Sequence, residues 1–530
     1  MPSAFPRPAV SSLESGQFDL LVIGGGITGC GIARDAVLRG LRVALVEKAD
    51  FASGTSSRSS RLVHGGVRYL EHGHLRLVFE ASVERRLLLA LAPHLVRPLA
   101  FTWPVYADAR VPRWKLVAGL TLYDALALFR NVARHRWLRS GETALHEPHL
   151  RSAGLHGAAV YYDAATDDSR LTLVNALDAI AAGATVLNHV RCDALLRDGA
   201  GRVEGASVTD VLTGRTATVR AHVVAQAIGP WTGGTVRGST GVHITVPRDR
   251  VGNAGALTLT APSDGRVMFT LPAGSHTIIG TTETPTTSAP DEVRATEADV
   301  RYLLDAVNHF FPEAHLTRED VVTAWAGVRP LVQGSGSLGS ASREHHVAQE
   351  PGLLTITGGK LTTYRVMAAD VVNATEKMLG RKVTKSPTLE RALHGGELPD
   401  VAAEVERVRR DTGLSAGRAA HLIHSYGSHW PHVWGIALAM RDGASPVVPG
   451  LPYLVAEIPH AARAERACTV GDVLIRRTHL AFELPDQGRS IAPRIAALMA
   501  PELGWDAAQQ GLEVVRYAEE AERMFAIEPL

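Results

Sequence analysis

Three glycine-centred strings hold the residues best suited to chemistry. The first, Gly24-Gly25-Gly26-Ile27-Thr28-Gly29, has the spacing G-x-G-x-x-G. In that spacing Gly24 permits a tight turn, Gly26 lets a pyrophosphate approach the backbone, and Gly29 lets the following helix pack closely. The helix start then offers N–H groups and a partial positive charge to the diphosphate. Glu47 ends the next apolar run. A carboxylate there accepts hydrogen bonds from a ribose and repels a 2′-phosphate, which favours NAD or FAD over NADP. A glycine turn without a ligand is the rival reading, and the flanking strand and helix patterns argue against it.

The second string runs Gly54-Thr-Ser-Ser-Arg-Ser-Ser-Arg61 and continues Leu62-Val-His64-Gly65-Gly66-Val-Arg68-Tyr69-Leu70-Glu71. An NAD-only domain has no use for so many hydroxyls, whereas a second polar and anionic group such as the ribityl chain and ring edge of a flavin would use them. The glycine pair can bring backbone against a flat ring, and Arg68 can point at a substrate anion. A flexible hydroxyl-rich loop is the alternative. The third group is Gly327-Val-Arg329-Pro-Leu331 and Gly358-Gly359-Lys360-Leu361-Thr362-Thr-Tyr-Arg365. A strand, glycine turn and helix start of this kind makes another anion or dipole site, fit for the carbonyl edge of a flavin. The 23 histidines show no H-E-x-x-H spacing, and adjacent His345 and His346 cannot face one metal, so no metal site is expected. The G-x-S-x-G elbow of many hydrolases is absent as well.

Periodicity supplies the elements that must hold these residues. Phe18–Ile23 reads as a buried parallel strand, Ile27–Arg39 as a helix, and Leu41–Val46 as the second strand of a βαβ unit. Helical patterns recur over Leu75–Leu91, Leu171–Ala182, Ala295–Phe311 and Thr362–Leu379. Gly205–Val211 and Arg215–Val224 read as a hairpin, and Val242–Thr282 is strand-rich. Beyond Ser386 the chain turns helical, which places a boundary near Lys385. Met1–Gln17, rich in Pro and Ser, reads as a disordered leader.

Composition bounds the reading. A chain of 530 residues, 45% hydrophobic, can build its cores without staples. Three scattered cysteines exclude a disulfide framework, and 55 basic against 54 acidic side chains argue against a nucleic-acid binder. No apolar run is long enough to span a bilayer. The Arg97–Arg139 segment nevertheless combines an apolar stretch, Leu116–Phe129, with Trp103, Trp114, Trp137 and many cations. Such a segment reads equally as an interfacial element or as a buried helix with solvated basic ends.

Taken together, these strings resemble the FAD-dependent glycerol-3-phosphate dehydrogenases of the bacterial respiratory type. Gly229-Pro-Trp231, Ile279-Gly-Thr-Thr282, Pro452-Tyr-Leu454, Asp472–Thr478 and Leu503-Gly-Trp505 extend the likeness over about Phe18 to Trp505. The resemblance implies an α/β fold: a glutathione-reductase-like FAD-binding Rossmann domain, a mixed β-sheet substrate domain and a helical C-terminal domain. The FAD part would take about 18–95, 150–231 and 340–385, the cap about 96–149 and 232–339, and the helical domain 386–530. Gly24, Gly26, Gly29 and Glu47 would bind the ADP half of FAD; Thr55, Ser56 and Ser57 would follow the pyrophosphate and ribityl. His64, Gly359, Lys360, Leu361 and Thr362 would surround the flavin ring. Arg68, Tyr69, Arg329 and Arg343 would hold substrate, with His243, Arg329 and Lys360 in catalytic roles. His243 is the preferred base and His64 the reserve, because a neutral imidazole accepts a proton and an arginine does not. The implied reaction oxidises glycerol 3-phosphate to dihydroxyacetone phosphate and passes electrons to a membrane quinone. The enzyme would sit peripherally on the cytoplasmic face of the cell membrane, without nucleic acid, and a homodimer is allowed. A glycerol-3-phosphate oxidase using oxygen and an amine or amino-acid oxidase are the alternatives.

Overall fold

A computed structural model describes residues 6–232, 236–332 and 344–529. Its first layer is built on β1 (Gln17–Ile23), α1 (Ile27–Leu38) and β2 (Val43–Val46). β1 is buried along Asp19–Ile23 and β2 throughout, as expected of parallel strands covered on both faces. β1 pairs in parallel with β2 and with Thr216–Gln226, which in turn pairs with Leu353–Gly358. Thr185–Leu187 closes the other side, and the antiparallel strands Val190–Arg197 and Val203–Asp210 extend from Thr216–Gln226. All the strand C-termini on which the glycine turns sit therefore point to one edge.

The second layer is a ten-stranded mixed sheet. Val236–Pro247 lies between His276–Gly280 and Thr323–Val332, and Arg97–Tyr106 joins Ala256–Thr260 to Leu155–Ala165. Two segments that the resemblance places with the FAD part, Leu62–Val63 and Leu155–Ala165, belong to this sheet instead. Their partners lie far along the chain, so local periodicity gives no hint of the exchange.

The leader is also more ordered than its composition suggests. From residue 6 onward it is anchored: Val10 and Leu13 are buried against Leu21 and Val224. Arg7 donates to the Asn188 carbonyl at 2.8 Å and pairs with Asp210 at 2.9 Å. Of the three tryptophans in the Arg97–Arg139 segment, Trp103 is buried, Trp137 half-buried, and Trp114 exposed.

The helical C-terminal domain shares its core with the second sheet. Trp325 and Tyr161 pack in the same cluster as Ile475, Phe482 and Phe525. It is also tied to the nucleotide-binding layer by buried charge. Asp50, fully buried, meets Arg477 Nη1 at 2.6 Å and Arg476 Nε at 2.9 Å. Arg170 in turn binds Glu465 at 2.5 Å. Removing one partner of a buried pair leaves a charge uncompensated. Arg477→Ala is therefore expected to lower stability by about 3–5 kcal/mol, read as a fall in the denaturant midpoint at unchanged m-value.

Candidate active site

A cavity of about 470 Å³ opens where the strand ends of the first layer face the second sheet. Its wall includes Gly24, Gly26, Glu47, Thr55 and Ser56 at one end, and His64, Tyr69, His243, Arg329 and Gly359–Thr362 at the other. The two ends come from both sheets, which brings together strings separated by hundreds of residues.

The glycine turn has the close approaches the motif calls for. Gly24 has φ +111°, and a Cβ there would lie 2.5 Å from the Ala227 carbonyl oxygen. A Cβ on Gly29 would fall 1.8 Å from the Gly24 oxygen. Gly29 is not on the cavity wall; it acts by letting α1 approach the turn. Gly26 caps α1 without a side chain, so the helix start faces the cavity bare. Ser56 Oγ receives the Ile27 N–H at 3.0 Å. Ser57 is buried behind the wall rather than on it. Glu47 accepts the Gly25 N–H at 2.6 Å and the Ala49 N–H at 2.9 Å, so the carboxylate is fixed beside the glycine turn. Burial is the largest influence on it and raises its pKa.

One wall residue escaped the sequence reading. Arg58 reaches the cavity, and its Nε is buried with no hydrogen-bond partner among the described residues. Burial lowers its pKa and Arg476 adds to that, outweighing the opposing Glu520 and Asp291. An anionic diphosphate would offset the remaining burial cost and could accept from that Nε. The bare helix start, the glycine clearances and this buried cation all fit the ADP half of FAD. Arg58 stands inside the hydroxyl-rich string, but nothing in its spacing separates it from a solvated loop arginine.

At the other end, Gly358 (φ +74°) and Gly359 (φ +82°) turn the chain so that Lys360 lies over the Tyr69 ring, its Nζ 3.6 Å from the centroid. Thr362 and His64 exchange two hydrogen bonds at 3.2 Å, hydroxyl to carbonyl and N–H to hydroxyl, locking these two strings together. His243 stacks flat on Trp325, centroids 5.4 Å apart and planes 11° apart, and its Nε2 meets Ser60 Oγ at 2.8 Å. Burial first, then Arg329 and Arg61, push its pKa down to about 3, so the imidazole is neutral at ordinary pH. Arg329 donates to Thr281 Oγ1 at 2.9 Å and to the Thr282 carbonyl at 3.3 Å. Arg68 is off the cavity wall, its Nη2 3.6 Å from Glu283 Oε2. Arg343 lies outside the described residues.

Among the described residues one group has metal-like geometry, His189, Cys468 and Asp472. Asp472 there already binds His189 at 2.9 Å, Arg476 at 2.8 Å and two backbone N–H groups. These contacts account for it as part of the buried ion network.

Comparison with known proteins agrees with this geometry. Residues 19–365 match the model of the FAD dependent oxidoreductase family, and 386–510 that of the C-terminal domain of alpha-glycerophosphate oxidase. Glycerol-3-phosphate dehydrogenase 2 of Mycobacterium tuberculosis is 42% identical over 525 residues, covering 95% of this chain and 88% of that protein. The mitochondrial glycerol-3-phosphate dehydrogenase of Homo sapiens is 40% identical, with 95% and 73% covered. The solved structure of glycerol-3-phosphate dehydrogenase from Bacillus halodurans, complexed with FAD, matches with a TM-score of 0.80 at 31% identity, covering 97% and 96% of the two chains. The cavity thus belongs to a chain with FAD as its cofactor, a member of the FAD-dependent glycerol-3-phosphate dehydrogenase family.

Proposed function

We propose that the protein oxidises sn-glycerol 3-phosphate to dihydroxyacetone phosphate and hands the electrons to a membrane quinone. The observation that carries this reading is one cavity wall holding a neutral buried histidine, His243, beside the cations Arg329 and Lys360. Bound FAD supplies the two-electron acceptor for the hydride that leaves the second carbon of the substrate. The chain does the rest. Arg329 and Lys360 meet the anionic parts of the reacting system through charge-assisted hydrogen bonds, each worth about 1.5–3 kcal/mol. His243 takes the hydroxyl proton; Ser60 occupies Nε2, and Nδ1 has no partner among the described residues. Trp325 holds the ring in one plane.

An anaerobic titration of the purified flavoprotein with glycerol 3-phosphate tests the reading. Bleaching of the flavin absorbance supports it, and no bleaching by this substrate refutes it. Re-admitting oxygen then separates the acceptors: slow recovery that a quinone accelerates supports the quinone, and rapid recovery with peroxide means an oxidase.

A quinone acceptor requires contact with a lipid surface. No helix among the described residues is long and apolar enough to cross a membrane. The helix Arg113–Leu126 and the loop after it instead expose Trp114 (73%), Leu128 (52%) and Phe129 (54%). Arg110, Arg113, Lys115, Arg130, Arg134 and Arg136 are exposed around them. Apolar side chains ringed by cations suit an anionic bilayer interface, and we place the protein peripherally on the inner face of the cell membrane. Burying one such side chain is worth about 1.5–3 kcal/mol. The double variant Trp114→Ser, Phe129→Ser is therefore expected to lose at least about tenfold in affinity for anionic vesicles in a sedimentation assay. Flavin reduction by glycerol 3-phosphate should stay at the wild-type rate.

A further inference from the structure

Arg68 and Arg329 converge on one carboxylate, Glu283, by very different routes. Arg329 leaves the long strand Thr323–Val332 and is gripped by the Thr281 hydroxyl and the Thr282 carbonyl. A Cβ on Gly241 would lie 2.7 Å from its Nη2, so the backbone beneath it fits closely. Arg68 instead stands on the short turn Val67–His72, bounded by two glycines at positive φ, Gly66 and Gly73, and 28% of its side chain is exposed. That turn by itself gives Arg68 no fixed direction.

The next residue of the segment that grips Arg329 supplies one. Glu283 is buried, at 8% exposure, and the Arg266 guanidinium fixes its backbone by donating to the Glu283 carbonyl at 2.6 Å. Its two carboxylate oxygens serve different arginines: Oε2 lies 3.6 Å from Arg68 Nη2, and Oε1 lies 3.9 Å from Arg329 Nη1. Arg329 lines the cavity, whereas Arg68 and Glu283 lie off its wall. One buried carboxylate thus bridges a well-held cation and a loosely held one from outside the cavity. Two guanidinium groups repel one another, and a shared counter-ion offsets that repulsion before any ligand arrives. Bringing donors into register in advance is what lets them bind a phosphate without an ordering cost at the moment of binding.

We propose that Glu283 is the positioning residue of the phosphate end of the site, holding Arg68 beside Arg329 so that both meet one phosphate group. The inference rests on the reading that this site takes glycerol 3-phosphate. Glu283 touches neither the flavin nor the reacting carbon, so its loss acts on binding through Arg68.

A double-mutant cycle on the holoenzyme tests this, with inorganic phosphate as the binding probe. Glu283→Gln keeps the shape and removes the charge. It is expected to raise both the KM for glycerol 3-phosphate and the inhibition constant of inorganic phosphate about tenfold, with the loss confined to KM. Glu283→Asp, which retains the charge on a shorter arm, should recover part of the loss, and this variant carries the test if Glu283→Gln fails to retain flavin. In an Arg68→Ala background, Glu283→Gln should change either constant less than about twofold, because coupled residues are not additive. Unchanged or tighter phosphate inhibition in Glu283→Gln would overturn the proposal, as would an equal effect in both backgrounds. The two readings fail separately. A wild-type holoenzyme that glycerol 3-phosphate does not reduce sinks the substrate reading itself. One that is reduced, with Glu283→Gln indistinguishable from wild type, sinks the role of Glu283 alone.

Discussion

His243→Asn is expected to slow flavin reduction by glycerol 3-phosphate by about 10²- to 10⁴-fold, the range over which a positioned base accelerates proton transfer. The groups facing this residue among the described residues include Ser60, a hydroxyl, and the cations Arg329 and Arg61, none of which is a base. Burial and these cations hold the imidazole neutral down to about pH 3, so the form that accepts a proton dominates throughout the working range. Asparagine keeps a polar atom for Ser60 but cannot take the proton. FAD should remain bound in the variant, since Gly24, Gly26, Glu47, Thr55 and Ser56 lie at the other end of the cavity. Stopped-flow reduction under anaerobic conditions measures the step directly, and a rate within threefold of wild type would remove His243 from the role of base and move attention to His64.

Stability should collapse on mild acidification. His94 and His243 have pKa values pushed down to about 3, and His460 to about 4, in each case chiefly by burial. For His94 the further contributions come from Arg170, His394, His429 and His424; for His460 the neighbouring Glu465 and Glu457 oppose the shift while Arg170 and His432 deepen it. A histidine depressed below its unfolded value of about 6.5 takes up its proton only on unfolding. Its contribution is therefore complete above about pH 6.5 and drains away as the pH falls toward the folded value. Each such group contributes a slope of about 1.4 kcal/mol per pH unit, so these three together approach about 4 kcal/mol per unit between about pH 6 and 4. Against a typical domain stability of about 5–15 kcal/mol, that loss is decisive. His189 runs the other way, because Asp472 raises its pKa despite burial and its stabilisation is present at low pH. Urea midpoints at pH 7, 5.5 and 4.5 give the slope. His94→Leu should flatten it by about 1.4 kcal/mol per unit, and an unaltered slope would show that His94 titrates normally in the folded protein.

The parts of the site that lie on contiguous strings were legible from sequence. Gly24, Gly26 and Glu47 declare themselves because the turn, the helix start and the strand end follow one another within a single βαβ unit, and Gly359–Thr362 repeats that logic. His243 and Arg329 stand on neighbouring strands paired in antiparallel register, but no local pattern tells which strand faces which, so their meeting rested on family resemblance. Arg58 and Glu283 could not be singled out: one is an arginine among serines, the other a lone acid after two threonines, and only burial and partners distinguish them. The exchange of Leu62–Val63 and Leu155–Ala165 into the second sheet was invisible for a related reason, since strand pairing over such separations leaves the alternation of each strand unchanged.

Phe482 sits edge-on to Trp325, centroids 5.1 Å apart, and its carbonyl accepts the hydroxyls of Thr245 and Thr323 at 3.2 Å. The Arg61 guanidinium lies 4.8 Å from its ring. The floor beneath His243 is thus completed by a residue close to the end of the chain. During synthesis Trp325 is made well before Phe482, so its edge lacks this cover until the later segment emerges. A nascent chain that has not yet added Phe482 therefore exposes apolar surface at Trp325, the kind of surface that chaperones guard. A chain cut short before Phe482 would leave the ring stacked under His243 without its edge-on partner.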